Sequence, residues 1–167
     1  HLANFRYLPG LLKNIILDYN FTFLRSETWK LNVNQIYTSG PEDILLFEKQ
    51  KLSYIPSFFA NVILGYDLDG FSFRISYFYQ DESIKDYNRY WDSYQVKENK
   101  LSRLDIAVKQ QLFEKISIIL NLNNITNSDE ADLFRWFFKA DNPPTTWKTY
   151  QAFRYGMNFD FGVRVEL

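Results

Sequence analysis

The chain has 167 residues, 46% of them hydrophobic and 23% charged, with a net charge of −1 and no cysteine, which fits one domain or a piece of one. An aromatic content of 19% excludes a disordered chain, and balanced charge leaves no electrostatic footprint for nucleic acid. Without cysteine, disulfides, thiolate metal sites and thiol chemistry are excluded.

The chain opens on His1 without a Met, a basic n-region or an apolar signal segment, and reads as a mature chain, a fragment or a processed product. Residues 2–8 are expected to end a strand that turns at Pro9 and Gly10. From Ile15 the apolar period is two: Ile15, Leu17, Tyr19, Phe21 and Phe23 alternate with Ile16, Asp18, Asn20, Thr22 and Leu24. The same beat returns in Phe58, Ala60, Val62, Leu64 and Tyr66, and again in Phe71, Phe73, Ile75, Tyr77 and Tyr79. Asp67 to Gly70 form a tight turn between these two rows, which predicts a hairpin. A second hairpin is expected from Leu104, Ile106, Val108 and Leu112 with Ile116, Ile118, Leu120 and Leu122, turning near Phe113 to Lys115. Tyr155, Met157, Phe159, Phe161, Val163, Val165 and Leu167 predict a final strand. About seven strands are expected, all in antiparallel arrangement. The longest apolar runs, such as Ile44 to Phe47, fall far short of the roughly 18 residues of a spanning helix.

Charge placement is more informative than the strand count. None of these rows contains a charged residue, whereas Asp18, Asp67, Arg74, Arg103, Asp105, Lys109, Arg154, Asp160, Arg164 and Glu166 fall on the opposite parity. About ten residues of tilted strand cover a lipid band about 25 Å tall, and a charge facing lipid at its midplane costs roughly 2–4 kcal/mol. Contact with lipid explains the exclusion, and Asp18, Arg74, Arg103, Asp105, Lys109, Asp160 and Arg164 are then expected to face a polar lumen. A soluble lipocalin-like barrel shows the same beat with its apolar row turned inward. The connections favour the membrane arrangement: 9–14, 67–70 and 113–115 are short, whereas 25–56, 81–101 and 126–150 are long, the asymmetry of outer-membrane barrels. Tyr66, Phe71, Tyr79, Phe153 and Tyr155 stand at expected strand ends, where an interfacial aromatic girdle would lie.

No catalytic machinery is expected. The single histidine, His1, excludes a Ser-His-Asp triad and a histidine metal site, and the carboxylates of the polar rows read as charge ladders between neighbouring strands. No Gly-rich phosphate loop occurs, and no cofactor or metal is expected. The glycosylation sequons at Asn20 and Asn124 are discounted. The long connections hold the candidate ligand-binding residues: Arg89, Tyr90 and Trp91 in one, Arg135, Trp136 and Trp147 in another, since exposed aromatics with arginine suit ligand contact. Ser128, Asp129 and Glu130 ahead of it and Lys139 behind predict a short helix over Leu133 to Phe138.

The segments Phe5 to Leu12 (FRYLPGLL), Tyr54 to Tyr66 (YIPSFFANVILGY), Leu120 to Asn127 (LNLNNITN) and Tyr155 to Leu167 (YGMNFDFGVRVEL) together resemble the C-terminal strands of TonB-dependent outer-membrane receptors. Gly162, Val165 and Leu167 are similar to the terminal signal read by the barrel assembly machinery, with Leu167 standing where the family more often has an aromatic residue. The resemblance implies about seven strands of a 22-stranded transmembrane barrel, residues 1–167 being its C-terminal segment, with the plug and the earlier strands lying elsewhere. It further implies localisation in the bacterial outer membrane and uptake of a scarce nutrient: an iron chelate, a vitamin, an oligosaccharide or a peptide. The implied partners are the rest of the barrel and plug, a TonB-type energy-coupling protein acting through the plug, the assembly machinery, the lipid bilayer, the nutrient and, as a further class, a surface lipoprotein. A small eight-stranded outer-membrane barrel, an enzyme or an adhesin, is the alternative that the length also fits.

Overall fold

The computed structural model describes residues 2–4, 9–31, 47–88, 94–136 and 146–166. The chain is all-β and antiparallel, apart from one short 3-10 turn over Gly10–Asn14. Thirteen strands occur among the described residues: β1 (Leu2–Asn4), β2 (Ile15–Phe23), β3 (Thr28–Leu31), β4 (Phe47–Gln50), β5 (Phe58–Leu68), β6 (Phe71–Gln80), β7 (Ser83–Asn88), β8 (Tyr94–Glu98), β9 (Leu101–Phe113), β10 (Ile116–Asn123), β11 (Glu130–Trp136), β12 (Lys148–Phe153) and β13 (Asn158–Val165). Seven of them build one sheet in the order β1-β2-β5-β6-β9-β10-β13, four build a second in the order β12-β11-β8-β7, and β3 pairs with β4.

The alternation of the sequence becomes one continuous face of the seven-stranded sheet. Directly opposed residues in antiparallel strands share a face, and the register runs Phe21↔Ala60↔Tyr79, Tyr19↔Val62↔Tyr77↔Leu104, and Leu17↔Leu64↔Ile75↔Ile106↔Leu122↔Phe159. A further row joins Ile15, Tyr66, Phe73, Val108, Leu120 and Phe161. No charged residue stands in any of these rows. At β9 the register corrects one expectation. A bulge opposes Ile116 to Phe113 and Ser117 to Gln111, leaving Leu112 as the extra residue. Gln110 therefore completes the apolar row between Phe71 and Ile118, beside the short turn.

Among the described residues no layer covers that face. Ala60, at 7% exposure, is the one buried hydrophobic residue among those described, while Phe21, Leu64, Phe159, Phe161 and Val163 are each about half or more exposed. A sheet with one apolar face is stable only when another layer covers it, so the covering must come from outside the described residues. The sheet is also open, with β1 and β13 at its edges rather than paired to each other.

The two ends of the sheet differ in kind. At one end β5 turns into β6 through Asp69 (φ 38°) and Gly70 (φ 81°), a two-residue turn whose left-handed backbone matches the twist of a hairpin. At that end β9 also turns into β10, through Glu114 and Lys115. At the other end each long connection carries a strand pair, β3 with β4, β7 with β8, and β11 with β12. Among the described residues much of the long connections 81–101 and 126–150 is strand. The second sheet repeats the order of the first. β7 and β8 prolong β6 and β9 after breaks at 81–82 and 99–100, β11 and β12 prolong β10 and β13, and β8 pairs with β11 as β9 does with β10.

The helix expected over Leu133 to Phe138 is corrected to strand as far as Trp136; Phe137 and Phe138 lie outside the described residues. β8 and β12 offer ladder hydrogen bonds on both sides of β11, and a strand between two partners satisfies its backbone better than a helical turn flanked by aromatics. The last strand starts at Asn158 instead of Tyr155, because Gly156 takes a left-handed φ of 73° and breaks the extension. Phe153 and Tyr155 consequently lie outside the seven-stranded sheet, Phe153 ending β12 and Tyr155 in the connection, and do not join Tyr66, Phe71 and Tyr79 at its strand ends.

Candidate functional site

The polar face of the seven-stranded sheet carries the ionic residues that the alternation assigned to it, apart from Arg154, which lies in the connection before β13, and Glu166, which lies just past it. Asp18 opposes Ile63, Arg74 opposes Gly65 and Ala107, Asp105 opposes Ser76, Arg103 opposes Phe78, Lys109 opposes Ser72 and Ile119, Asp160 opposes Asn121, and Arg164 opposes Ser117. These charges form local groups and not one ladder. Arg74 on β6 reaches Asp67 on β5 with paired bonds of 2.7 and 2.8 Å, the bidentate geometry that a guanidinium favours. Arg103 meets Asp105 of its own strand at 3.3 Å, and Asp160 accepts from Asn123 Nδ2 at 3.0 Å. Gly65 opposite Arg74 is a close approach, since a Cβ there would stand 2.8 Å from the Arg74 side chain.

Of the candidate ligand residues, Arg89, Tyr90 and Trp91 lie outside the described residues. Arg135 and Trp136 lie on β11 of the four-stranded sheet, with side chains on opposite faces, and Trp147 stands immediately before β12. Arg135 donates to Gln95 Oε1 from Nε and Nη2 at 3.0 and 2.8 Å, and its guanidinium lies 4.4 Å from the centre of the Trp147 ring. Lys97 Nζ stands at the same 4.4 Å from that ring and is also paired with Glu82. One indole therefore covers two cations, a contact worth about 0.5–2 kcal/mol for each according to its exposure. On the opposite parity Trp136 meets Phe134 and Tyr94 edge to face at 4.8 and 6.0 Å, and Tyr150 extends the row from Phe134 at 6.2 Å. These aromatics and cations hold strand to strand. Farther along, Lys85 bonds both oxygens of the 6% exposed Asp132, at 2.7 and 3.0 Å, and Gln151 adds a bond of 2.8 Å. The carboxylate raises the Lys85 ammonium above its ordinary range against the opposing effect of burial.

Of Gly162, Val165 and Leu167, the first two lie on edge strand β13, opposite Ile119 and Ile116, and Leu167 lies outside the described residues.

Where the two sheets meet, the strands break and the backbone becomes left-handed at Asn124 (φ 56°), Asn127 (φ 50°) and Gly156 (φ 73°). Asn124 organises this waist. Its backbone N–H donates to Asp105 Oδ1 at 2.7 Å, and its side-chain amide donates to the carbonyls of Ser128 and Gly156 at 3.2 and 3.0 Å. Its Oδ1 accepts the Ser128 N–H at 3.0 Å, and Ser128 Oγ in turn donates to the Ser102 carbonyl. The waist is closed on its outer side by Arg154, whose Nη2 and Nε bond the Asp129 carboxylate at 2.8 and 3.0 Å. That guanidinium holds the Asp129 carboxyl below its usual range.

Beside Asn124 the waist encloses a cleft of about 230 Å³, lined by Leu101, Arg103, Asn123, Glu130, Tyr155 and Asn158 together with the backbone of the junction. It lies at the end of the polar face away from the short turns. Sequence reasoning singled out Arg103 alone among these side chains as polar-face chemistry; Asn158 joins it because β10 and β13 run side by side, with Asn123 directly opposite Asn158, and Glu130 because β11 starts just beyond the turn that follows β10. Among the described residues no three His, Asp or Glu side chains cluster as metal ligands.

Compared with known proteins, the chain matches no family model, no curated protein and no solved structure.

Proposed function

We propose that this chain is the C-terminal part of the β-barrel of a TonB-dependent outer-membrane receptor, a transporter that takes up a scarce nutrient with energy supplied from the inner membrane. The observation that carries the reading is the uncharged face of the seven-stranded sheet, in register from β2 to β13 and, among the described residues, without a layer over it. Hydrocarbon is the covering that tolerates such a face and rejects charge from it. The strands have the right reach: β5 and β6, at 11 and 10 residues, match the roughly 9–11 residues of a tilted strand across a bilayer. Short turns then lie on the periplasmic side, and the four-stranded sheet stands above the outer surface. Edges at β1 and β13 leave ladder groups that hydrocarbon cannot satisfy, so on this reading they pair with earlier strands of a larger barrel.

In that arrangement the chain carries out no covalent chemistry. Arg74, Lys109, Asp105 and Asp160 line a wet passage, the plug within it is remodelled by the coupling protein, and the outer sheet forms part of the mouth where nutrient arrives. The protein that carries this chain is expected in the outer-membrane fraction, resistant to carbonate extraction. Ile106→Lys, which sets a charge among the acyl chains, is expected to deplete the assembled protein, as its cost of about 2–4 kcal/mol predicts, while the neighbouring Ala107→Lys on the polar face assembles normally. Recovery of wild-type protein from the soluble periplasm, or equal assembly of both variants, would overturn the proposal.

A further inference from the structure

We infer that the waist cleft binds one neutral, hydroxyl-rich ring, a single sugar unit of a saccharide. The inference rests on the reading of the chain as a nutrient receptor and names the class of nutrient.

Four features of the cleft lead to it. The first is size: about 230 Å³ lies below the roughly 300–1,000 Å³ of sites that enclose a drug-sized molecule, so the cleft takes one ring of a longer ligand. The second is charge. Arg103 is already matched by Asp105 at 3.3 Å, Glu130 shares the lining, and Asp160 stands behind Asn123, so an anionic chelate or a phosphate would meet more carboxylate than guanidinium. The third is the pattern of donors and acceptors. Guanidinium N–H groups donate, carboxylate oxygens accept, and the amides of Asn123 and Asn158 do both, which is the mixture that adjacent hydroxyls of a sugar require, each being donor and acceptor at once. Tyr155, 62% exposed, and Leu101 add apolar surface for the C–H side of a ring.

The fourth feature is rigidity. Asn124 is 7% exposed and ties β9, the 124–128 turn and Gly156 together beneath the cleft, so the lining is held in place before a ligand arrives. Preorganisation of this kind reduces the ordering cost of binding a flexible, well-hydrated molecule. The cleft lies at the end of the polar face away from the short turns, where on the receptor reading a nutrient passes from the outer sheet into the lumen.

The test uses the detergent-solubilised whole protein that carries this chain, titrated against an array of neutral oligosaccharides, with triglycine and ferric citrate as probes of the peptide and chelate classes. At least one neutral saccharide is expected to bind. Arg103→Met, Glu130→Gln and Tyr155→Ala should each weaken it about tenfold, the loss of one ligand bond to a charged group or of one ring contact. Lys115→Ala, at the far turn, should leave it unchanged. The isosteric Glu130→Gln keeps the reading independent of folding, and heat-modifiable gel mobility checks each variant. Absence of saccharide binding, binding indifferent to the three substitutions, or triglycine or ferric citrate binding that those substitutions weaken would each overturn the inference. The two proposals fail separately: outer-membrane protein without saccharide binding removes only this one, and saccharide-binding protein recovered in the soluble fraction removes only the receptor reading.

Discussion

Asn124 shows how much one side chain carries in this protein. It combines a left-handed backbone, which Asn tolerates better than most residues, with amide bonds to two carbonyls and one N–H from segments up to 32 positions away. Asn124→Ala removes the amide and leaves those groups with orphaned partners, a loss of about 1–3 kcal/mol. Hydrogen exchange is expected to accelerate at the Ile125 and Ser128 amides and through β11, with β5 and β6 unaffected; uniform protection would contradict the role given to Asn124. The same geometry explains why its sequon is a poor acceptor, since the amide nitrogen is already used and the residue is buried. Gly70 is a second such position. Its φ is 81°, and a Cβ there would stand 2.9 Å from Gln111 Cβ, so Gly70→Val strains the β5–β6 turn by about 1–2 kcal/mol or more from backbone handedness alone. Slower refolding into detergent micelles is the expected result, and a wild-type rate would show that the turn forms late.

At the level of elements, the waist separates two sheets whose legibility differs. The seven-stranded sheet was readable because its long strands keep one parity apolar and free of charge, as Ile15 to Phe23 and Phe71 to Tyr79 do even though Ile16 and Phe78 are apolar on the other parity. The four-stranded sheet was not, because its most covered positions are polar, Ser83, Gln95, Lys97 and Asp132, so hydropathy does not mark a face; Lys148–Phe153 is exposed at every position and shows no period. Phe134 and Trp136 stack two apart, the strand beat, yet the acidic residues before them imitate a helix start. The cleft was illegible for another reason: Arg103, Asn123, Glu130 and Asn158 come from four strands, and only register and the turn after β10 bring them together. Where the elements join, Asp129 and Arg154 make a pH-dependent clasp. Because Arg154 lowers the Asp129 pKa, the clasp is fully present above the ordinary carboxylate value near 3.8 and is lost as pH falls through the lower folded value. Amide exchange around Ser128 and Arg154 should therefore stay flat from pH 7 to about 4 after correction for intrinsic rates, then rise on further acidification. Asp129→Asn should abolish that acid step.

For the molecule as a whole, the energetic problem is the missing core. With Ala60 the one buried hydrophobic residue described, apolar burial cannot come from packing within the sheet, and the fold depends on what surrounds it. No cysteine of this chain competes with a single nitroxide label, any cysteine elsewhere in the protein being replaced first, and β6 offers consecutive positions on alternate faces from Ser72 to Tyr77. In the bilayer-reconstituted protein, labels at Phe73, Ile75 and Tyr77 should collide preferentially with lipid-soluble oxygen, and labels at Ser72, Arg74 and Ser76 with a water-soluble nickel chelate. An accessibility pattern with that period of two would support a sheet that turns its uncharged face to acyl chains; equal accessibility at all six positions, or the opposite phase, would contradict it.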